Sequence, residues 1–196
     1  MAQPSRSFLE EAIDALRGTV ALVVGNRQAS SYFDFRNAGL IGSFIAVLVG
    51  MAVQAFAPPF LSPGIPAGAA TGAIMLGFVV LGVQFGVAYL VLRLLGRADG
   101  FIPFVVVQNW VTLFQSLLAV ASIAIFGQPI AVSADDQLAQ MTPGTIPFLL
   151  LGIAAMIVWV NIARLILTLK PLHVAMFVFM QLGAAFLIQP IILSLA

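Results

Sequence analysis

Residues 101–126 read FIPFVVVQNWVTLFQSLLAVASIAIF and contain no Asp, Glu, Lys, Arg or His. A helix needs about 20 predominantly apolar residues to cross the hydrocarbon core of a bilayer, so this stretch is long enough to span it. The apolar residues form a continuous run, whereas a strand of a membrane β-barrel alternates over about 10 residues. The stretch therefore predicts a transmembrane α-helix, because only a helix satisfies its backbone internally over such a length.

Four more apolar stretches of similar length flank this one, and the composition agrees with them. Hydrophobic residues make up 62% and charged residues 8% of the 196 residues, whereas soluble domains contain about 25% charged residues. We therefore expect an all-α polytopic membrane protein, with residues 37–196 forming a five-transmembrane-helix bundle. The predicted spans are residues 38–56, 67–92, 101–126, 145–169 and 172–196.

The cytoplasmic N-terminal segment, residues 1–36, is predicted to form an amphipathic interfacial helix. Ser7 and Glu10 have the spacing of a capping box. Apolar side chains then recur at helical spacing on one face, and the acidic residues lie off this face. A lipid-sensing helix typically has a polar face rich in Lys and Arg. Because this segment lacks one, the pattern favours an anchor that packs under the bundle. The apolar stripe comprises Phe8, Leu9, Ala12, Ile13, Leu16 and Val20.

The positive charges predict the orientation of the chain. With five spans, all eight Lys and Arg residues fall on one side, and Asp135 and Asp136 are the only charged residues of the opposite loops. Basic residues accumulate on the cytoplasmic side of membranes. The N-terminus is therefore predicted to be cytoplasmic and the C-terminus to lie on the opposite side, in the inner membrane of a bacterium. The basic residues near the span ends are Arg36, Arg93, Arg97, Arg164 and Lys170.

Small residues recur at four-residue intervals in the first two spans. Small side chains let membrane helices approach closely, which favours packing between helices. Such a ladder serves equally well within one chain or between two chains, and the sequence leaves both alternatives open. The predicted packing residues are Ala38, Gly42, Ala46 and Gly50 in the first span, with Gly82 and Gly86 in the second.

Uncharged polar side chains form a second pattern inside the predicted spans. Unpaired amides are costly in hydrocarbon, so we expect these groups to face the interior of the bundle. One interpretation is that they form hydrogen bonds between helices; the other is a hydrophilic cavity that opens to the cytoplasm. The residues are Gln84, Gln108, Asn109, Thr112, Gln115, Asn161 and Gln181.

Several classes of function are disfavoured by residues that the chain lacks. Cysteine is absent, which excludes thiol catalysis and cysteine-based metal sites. His173 is the only histidine, and the two acidic loop residues fall on the other side of the predicted membrane. We therefore predict no catalytic, metal-binding or cofactor-binding residues. The net charge of +1 lacks the clustered Lys and Arg of a nucleic-acid-binding protein.

Two short groups of residues resemble bacterial members of the Yip-domain family of five-span membrane proteins. They are Phe101, Asn109 and Trp110 in the third span, and Asn161, Arg164 and Leu165 at the end of the fourth. The resemblance implies five spans with a cytoplasmic N-terminus. Eukaryotic members are associated with small GTPases and vesicle traffic, whereas bacterial members mostly have no assigned function, so the resemblance implies a fold rather than a role.

These features favour a non-enzymatic membrane protein that serves as a scaffold, assembly factor or accessory subunit. Its expected partners are the lipid bilayer and other membrane proteins or further copies of the same chain. The alternative is a small-solute channel or transporter subunit that uses the polar face of the third span. Access of water to Gln108, Thr112 and Gln115 distinguishes the two hypotheses.

Overall fold

The computed structural model describes residues 7–61, 69–132 and 139–195, which are mostly helical. The first residue of the predicted second span, Ala67, lies outside the described residues, as do Asp135 and Asp136. The helices α1 to α6 comprise Phe8–Val23, Asn37–Leu61, Ala69–Leu94, Phe101–Phe126, Thr145–Asn161 and Pro171–Leu195.

Four stretches of the described chain are helical, long and apolar enough to cross a membrane. This confirms the predicted helical class and the presence of membrane-length helices. Pro171–Phe186 of α6 is a shorter apolar helix within the described residues, so the total of five spans stays a prediction. The four stretches are Asn37–Ala57, Ile74–Leu94, Ala98–Phe126 and Thr145–Ile166.

The ends of two predicted spans differ from the observed helices. The first helix does not end at Phe56 but continues through Pro58 and Pro59 to Leu61, although each proline lacks the N–H that a helical hydrogen bond needs. The fourth span is not one uniform helix. After Asn161 the chain forms a π-helical turn over Ile162–Ile166, a wider turn that is found mainly as a short insertion next to α-helices.

The connection after α4 contains regular structure that the helical periodicity did not reveal. Strand β1, Ile130–Val132, pairs antiparallel with strand β2, Ala139–Met141, with Ile130 opposite Met141. The hairpin connects the end of α4 to the beginning of α5.

Helix α4 lies at the centre of the bundle. Its residues 104–111 are all buried, whereas most residues after Ser116 are half-buried or exposed. The most extensive contact between two described helices joins α4 to α2. A Cβ atom built on Gly50 of α2 would lie 3.0 Å from the Cα of Leu113 in α4, so the two backbones nearly touch there. The bundle is therefore tightest around the first half of α4 and opens toward the other end.

Helix α1 begins with the predicted capping box, in which Ser7 and Glu10 each bond the other's backbone. Only part of the predicted apolar stripe packs: Ala12 lies against the core, whereas most of the stripe is exposed. Leu9 and Val20 of this stripe are 69% and 55% exposed. The buried face instead carries Ala15, Gly18 and Leu22, because small side chains allow a closer approach to neighbouring helices. A third face carries an ion pair between Asp14 and Arg17.

Helix α1 contacts three of the membrane-length helices near one end of the bundle. Glu11 lies against Gly42 of α2. The rings of Phe8 and Trp110 are 5.5 Å apart. With a rise of 1.5 Å per residue, Gly42 and Trp110 lie roughly 8 and 14 Å from the starts of their helices. The helix therefore lies across the bundle instead of running alongside the spans.

Candidate functional site

Three of the predicted intramembrane polar residues form hydrogen bonds between helices. Asn109 is 0% exposed and donates to Ser43 Oγ of α2 at 3.1 Å. Asn161 donates to the Leu22 carbonyl of α1 at 2.7 Å. Gln181 of α6 donates to the backbone carbonyl of Gln84 in α3 at 3.2 Å. Hydrogen bonds of this kind hold the helices together.

The remaining predicted polar residues have a different arrangement. Gln84, Gln108, Thr112 and Gln115 line one chamber of about 380 Å³ between α2, α3, α4 and α5. Gln54 of α2 adds a fourth amide. The polar face of α4 therefore both joins helices, through Asn109, and borders a cavity.

Hydrogen bonding inside the chamber is incomplete. The Thr112 hydroxyl donates to the Gln108 backbone carbonyl at 2.8 Å and so is paired within its own helix. Gln108 is 5% exposed, and its side-chain Oε1 is buried without a hydrogen-bond partner. Within the described residues, the side-chain amides of Gln54, Gln84 and Gln115 also make no hydrogen bond. These amides are therefore available to an occupant of the chamber.

The chamber extends along the spans and is partly open to its surroundings. Gln108 lies roughly 10 Å from the start of α4, and Gln54 roughly 25 Å from the start of α2, at 1.5 Å per residue. Gln108 is buried, whereas Gln54 is exposed. The polar lining therefore runs from a buried amide near the helix ends that carry Arg36 and Arg97 to an exposed amide farther along the bundle.

A second, smaller cavity adjoins the chamber. Its volume is about 10 Å³, which is room for about one water molecule. It shares Gln84, Gln108 and Trp159 with the chamber and adds Gln181 and Phe177 of α6. The small cavity therefore lies between the chamber and α6.

The two predicted glycine ladders have different surroundings. In α2, Ala46 is fully buried, while Gly42 and Gly50 are covered by Glu11 and Leu113 of the same chain; Ala38, at the start of the helix, is exposed. In α3, Cβ atoms built on Gly82 and Gly86 would meet no atom within 4 Å. The first ladder packs inside the chain, and the Gly82–Gly86 face lies open.

The basic residues collect at one end of the bundle. Arg97, after α3, donates to Thr168 Oγ1 in the connection before α6 at 2.8 Å, so these two connections meet. Arg93 lies in the last turn of α3. Arg164 and Lys170 are exposed, one before and one after Thr168 in the sequence. Arg36 precedes α2 and bonds to Asp34. The hydrogen bond and attraction of this carboxylate raise the pKa of Arg36 and help keep it charged.

Sequence reasoning missed three residues of these sites. Gln54 is the only amide side chain in the first predicted span, and this isolated polar residue could have been recognised as a candidate. Trp159 forms an apolar wall of the chamber, but a tryptophan near a span end is as readily an interface residue. Ser43 was one hydroxyl among many apolar residues, and nothing local identified it as the partner of Asn109.

Comparison with known proteins identifies no family or function for this arrangement of residues. No protein-family model, no curated protein and no solved structure matches the chain.

Proposed function

We propose that the chain is an integral membrane protein with five spans, a cytoplasmic N-terminus and a C-terminus on the opposite side, in a bacterial inner membrane. Two observations support this topology. Helix α6 continues to Leu195, so at 1.5 Å per residue its 25 residues reach roughly 37 Å, enough for a fifth crossing. The contact between Arg97 and Thr168 joins two of the basic connections at one end of the bundle, as the positive-inside rule requires. The same layout agrees with the resemblance to the Yip-domain family.

We infer that the protein is a non-enzymatic accessory or assembly subunit, and that α3 is the helix through which it binds a transmembrane helix of another membrane protein. The observation that carries this inference is the uncovered Gly82–Gly86 face. Small residues are useful where helix backbones approach closely, and here no helix of the described chain uses them. The membrane-length part of α3 is also 17% buried, the smallest share among the four such helices.

Replacing Gly82 and Gly86 together with isoleucine is expected to abolish co-purification of the partner. Branched side chains at these positions would hold a partner backbone away. The protein itself should remain folded, because a Cβ atom at either position meets no described atom within 4 Å and both glycines are exposed. The measurement is recovery of membrane proteins bound to the purified chain from native nanodiscs, with and without the substitutions.

Gly152→Ile is the matched control, because Gly152 of α5 is also exposed and open. It should leave the partner bound. Equal loss with both variants, or a solitary chain before any substitution, contradicts the docking role of α3. If only a second copy of this chain is recovered, α3 binds another copy of the same protein and not a different membrane protein.

A further inference from the structure

We propose that the chamber between α2, α3, α4 and α5 is a binding site for a small uncharged solute that both donates and accepts hydrogen bonds. The site goes beyond the accessory role, and none of its polar residues belongs to the Gly82–Gly86 face. The argument rests on the size of the chamber, the chemistry of its walls and the unmet hydrogen bonds of its amides.

The size of the chamber suits a small molecule. Ligand pockets in proteins typically measure about 300–1,000 Å³, and this chamber of about 380 Å³ lies near the lower limit. Helices α3 and α4 contact each other only sparsely, so the space lies where two helices fail to close on each other.

The walls select against charge. Among the described residues, the polar lining consists of four glutamine amides and one threonine hydroxyl, with no Asp, Glu, Lys, Arg or His. An ion would lose its hydration here without gaining an opposite charge, which is strongly unfavourable. Met51, Trp159 and three aliphatic side chains provide an apolar surface beside the amides.

The unmet hydrogen bonds select for a polar occupant. The Gln108 Oε1 atom is buried and unpartnered, and a buried acceptor left in this state costs about 1–3 kcal/mol. The side-chain NH2 groups of Gln181, Asn109 and Asn161 each donate to another helix, whereas neither the NH2 group nor the Oε1 atom of Gln108 has a partner among the described residues. A lipid acyl chain would leave the chamber amides unpaired, whereas hydroxyl or amide groups of a solute would satisfy them.

The two tryptophans of the chain allow a direct test. Trp159 lies in the chamber wall, whereas Trp110 is 1% exposed and packs on Phe114. In the Trp110→Phe variant in nanodiscs, acrylamide, a small uncharged amide, should quench the fluorescence of Trp159 efficiently. Iodide, which is charged, should quench it several-fold less. The Trp159→Phe variant is the matched control, and its remaining Trp110 should resist both quenchers.

Three results would overturn the proposal. If acrylamide quenches Trp159 no better than Trp110, the chamber is closed. If iodide quenches Trp159 as well as acrylamide does, the chamber does not select against charge. Quenching of Trp159 by nitroxide-labelled phosphatidylcholine, without quenching by acrylamide, would identify an acyl chain as the occupant.

The Gln108→Leu variant tests whether the Gln108 amide binds a ligand or stabilises the packing of the helices. In the Trp110→Phe background, we expect it to lower acrylamide quenching of Trp159 several-fold. Thermal stability without solute should stay unchanged or rise, because replacing an unpaired buried amide by an apolar group of similar size removes an unfavourable group. A large loss of stability with unchanged quenching would instead assign Gln108 to helix packing. Loss of partner binding in the Gly82/Gly86 experiment would leave this result untouched.

Discussion

Gly50→Ile is expected to lower the free energy of unfolding by about 3 kcal/mol or more, the upper part of the range for overpacked cores. The first added carbon would lie 3.0 Å from the Leu113 Cα and 3.4 Å from its backbone nitrogen. A backbone cannot move aside as a side-chain end can, so α2 and α4 must separate. Because this is the most extensive helix contact described, the separation should disturb the whole core. Thermal unfolding in mild detergent measures the effect.

The control for this prediction is Gly152→Ile, at an exposed position where an added Cβ atom meets no described atom within 4 Å. Gly152→Ile should change the free energy of unfolding little. Gly152→Ala should raise it slightly, because alanine stabilises a helix relative to glycine by up to about 1 kcal/mol. If Gly50→Ile and Gly152→Ile melt at the same temperature, the close approach of α2 and α4 does not exist.

Gly42→Ile is expected to release α1 from the bundle. The first added carbon would lie 2.8 Å from the Glu11 Oε1 atom. A carboxylate at the end of a flexible side chain can move, so Gly42→Ala should be tolerated, whereas the branched side chain of isoleucine needs the space that α1 occupies. If the substitution destabilises the docked state by about 2 kcal/mol, the equilibrium constant for release of α1 rises roughly 30-fold. Tryptic cleavage after Arg17 measures the release, because a docked helix resists cleavage.

Glu11→Ala tests whether the clash with the Glu11 carboxylate causes the release of α1. Combined with Gly42→Ile, it removes the obstructing carboxylate and should restore most of the protection of Arg17. A double variant as sensitive as Gly42→Ile alone would show that the two residues do not meet. The prediction also bears on oligomerisation, because the Gly42 face is already covered by its own chain.

Much of the fold followed from local patterns. The capping box at Ser7 and the bounds of α4 were predictable because each depends on residues close together in sequence. The packing face of α1 was not predictable. An apolar stripe can face lipid or protein equally well, and only the contacts with α2, α4 and α5 show that its small residues turn inward. The π-helical turn after Asn161 carried no periodic signal.

The polar residues were predictable as a set but not in their separate roles. The helical spacing from Gln108 to Gln115 placed three chamber residues on one face. The same spacing could not show that Asn109 bonds to Ser43 while Gln108 remains unpaired, because partners come from other helices. Gln54 joined the site only through the packing of α2 on α4.

The hydrogen bond between Asn161 and Leu22 has a consequence for how the chain is made. It joins residues 139 positions apart, so the ribosome must add that many residues before α1 can form its bond to α5. At about 5–20 residues per second, α1 waits roughly 7–28 s after its own synthesis. Its exposed stripe, with Leu9 and Val20, gives it a way to stay on the membrane during that interval. The residues of the stripe that stay exposed in the finished protein are therefore suited to hold the nascent helix at the membrane surface.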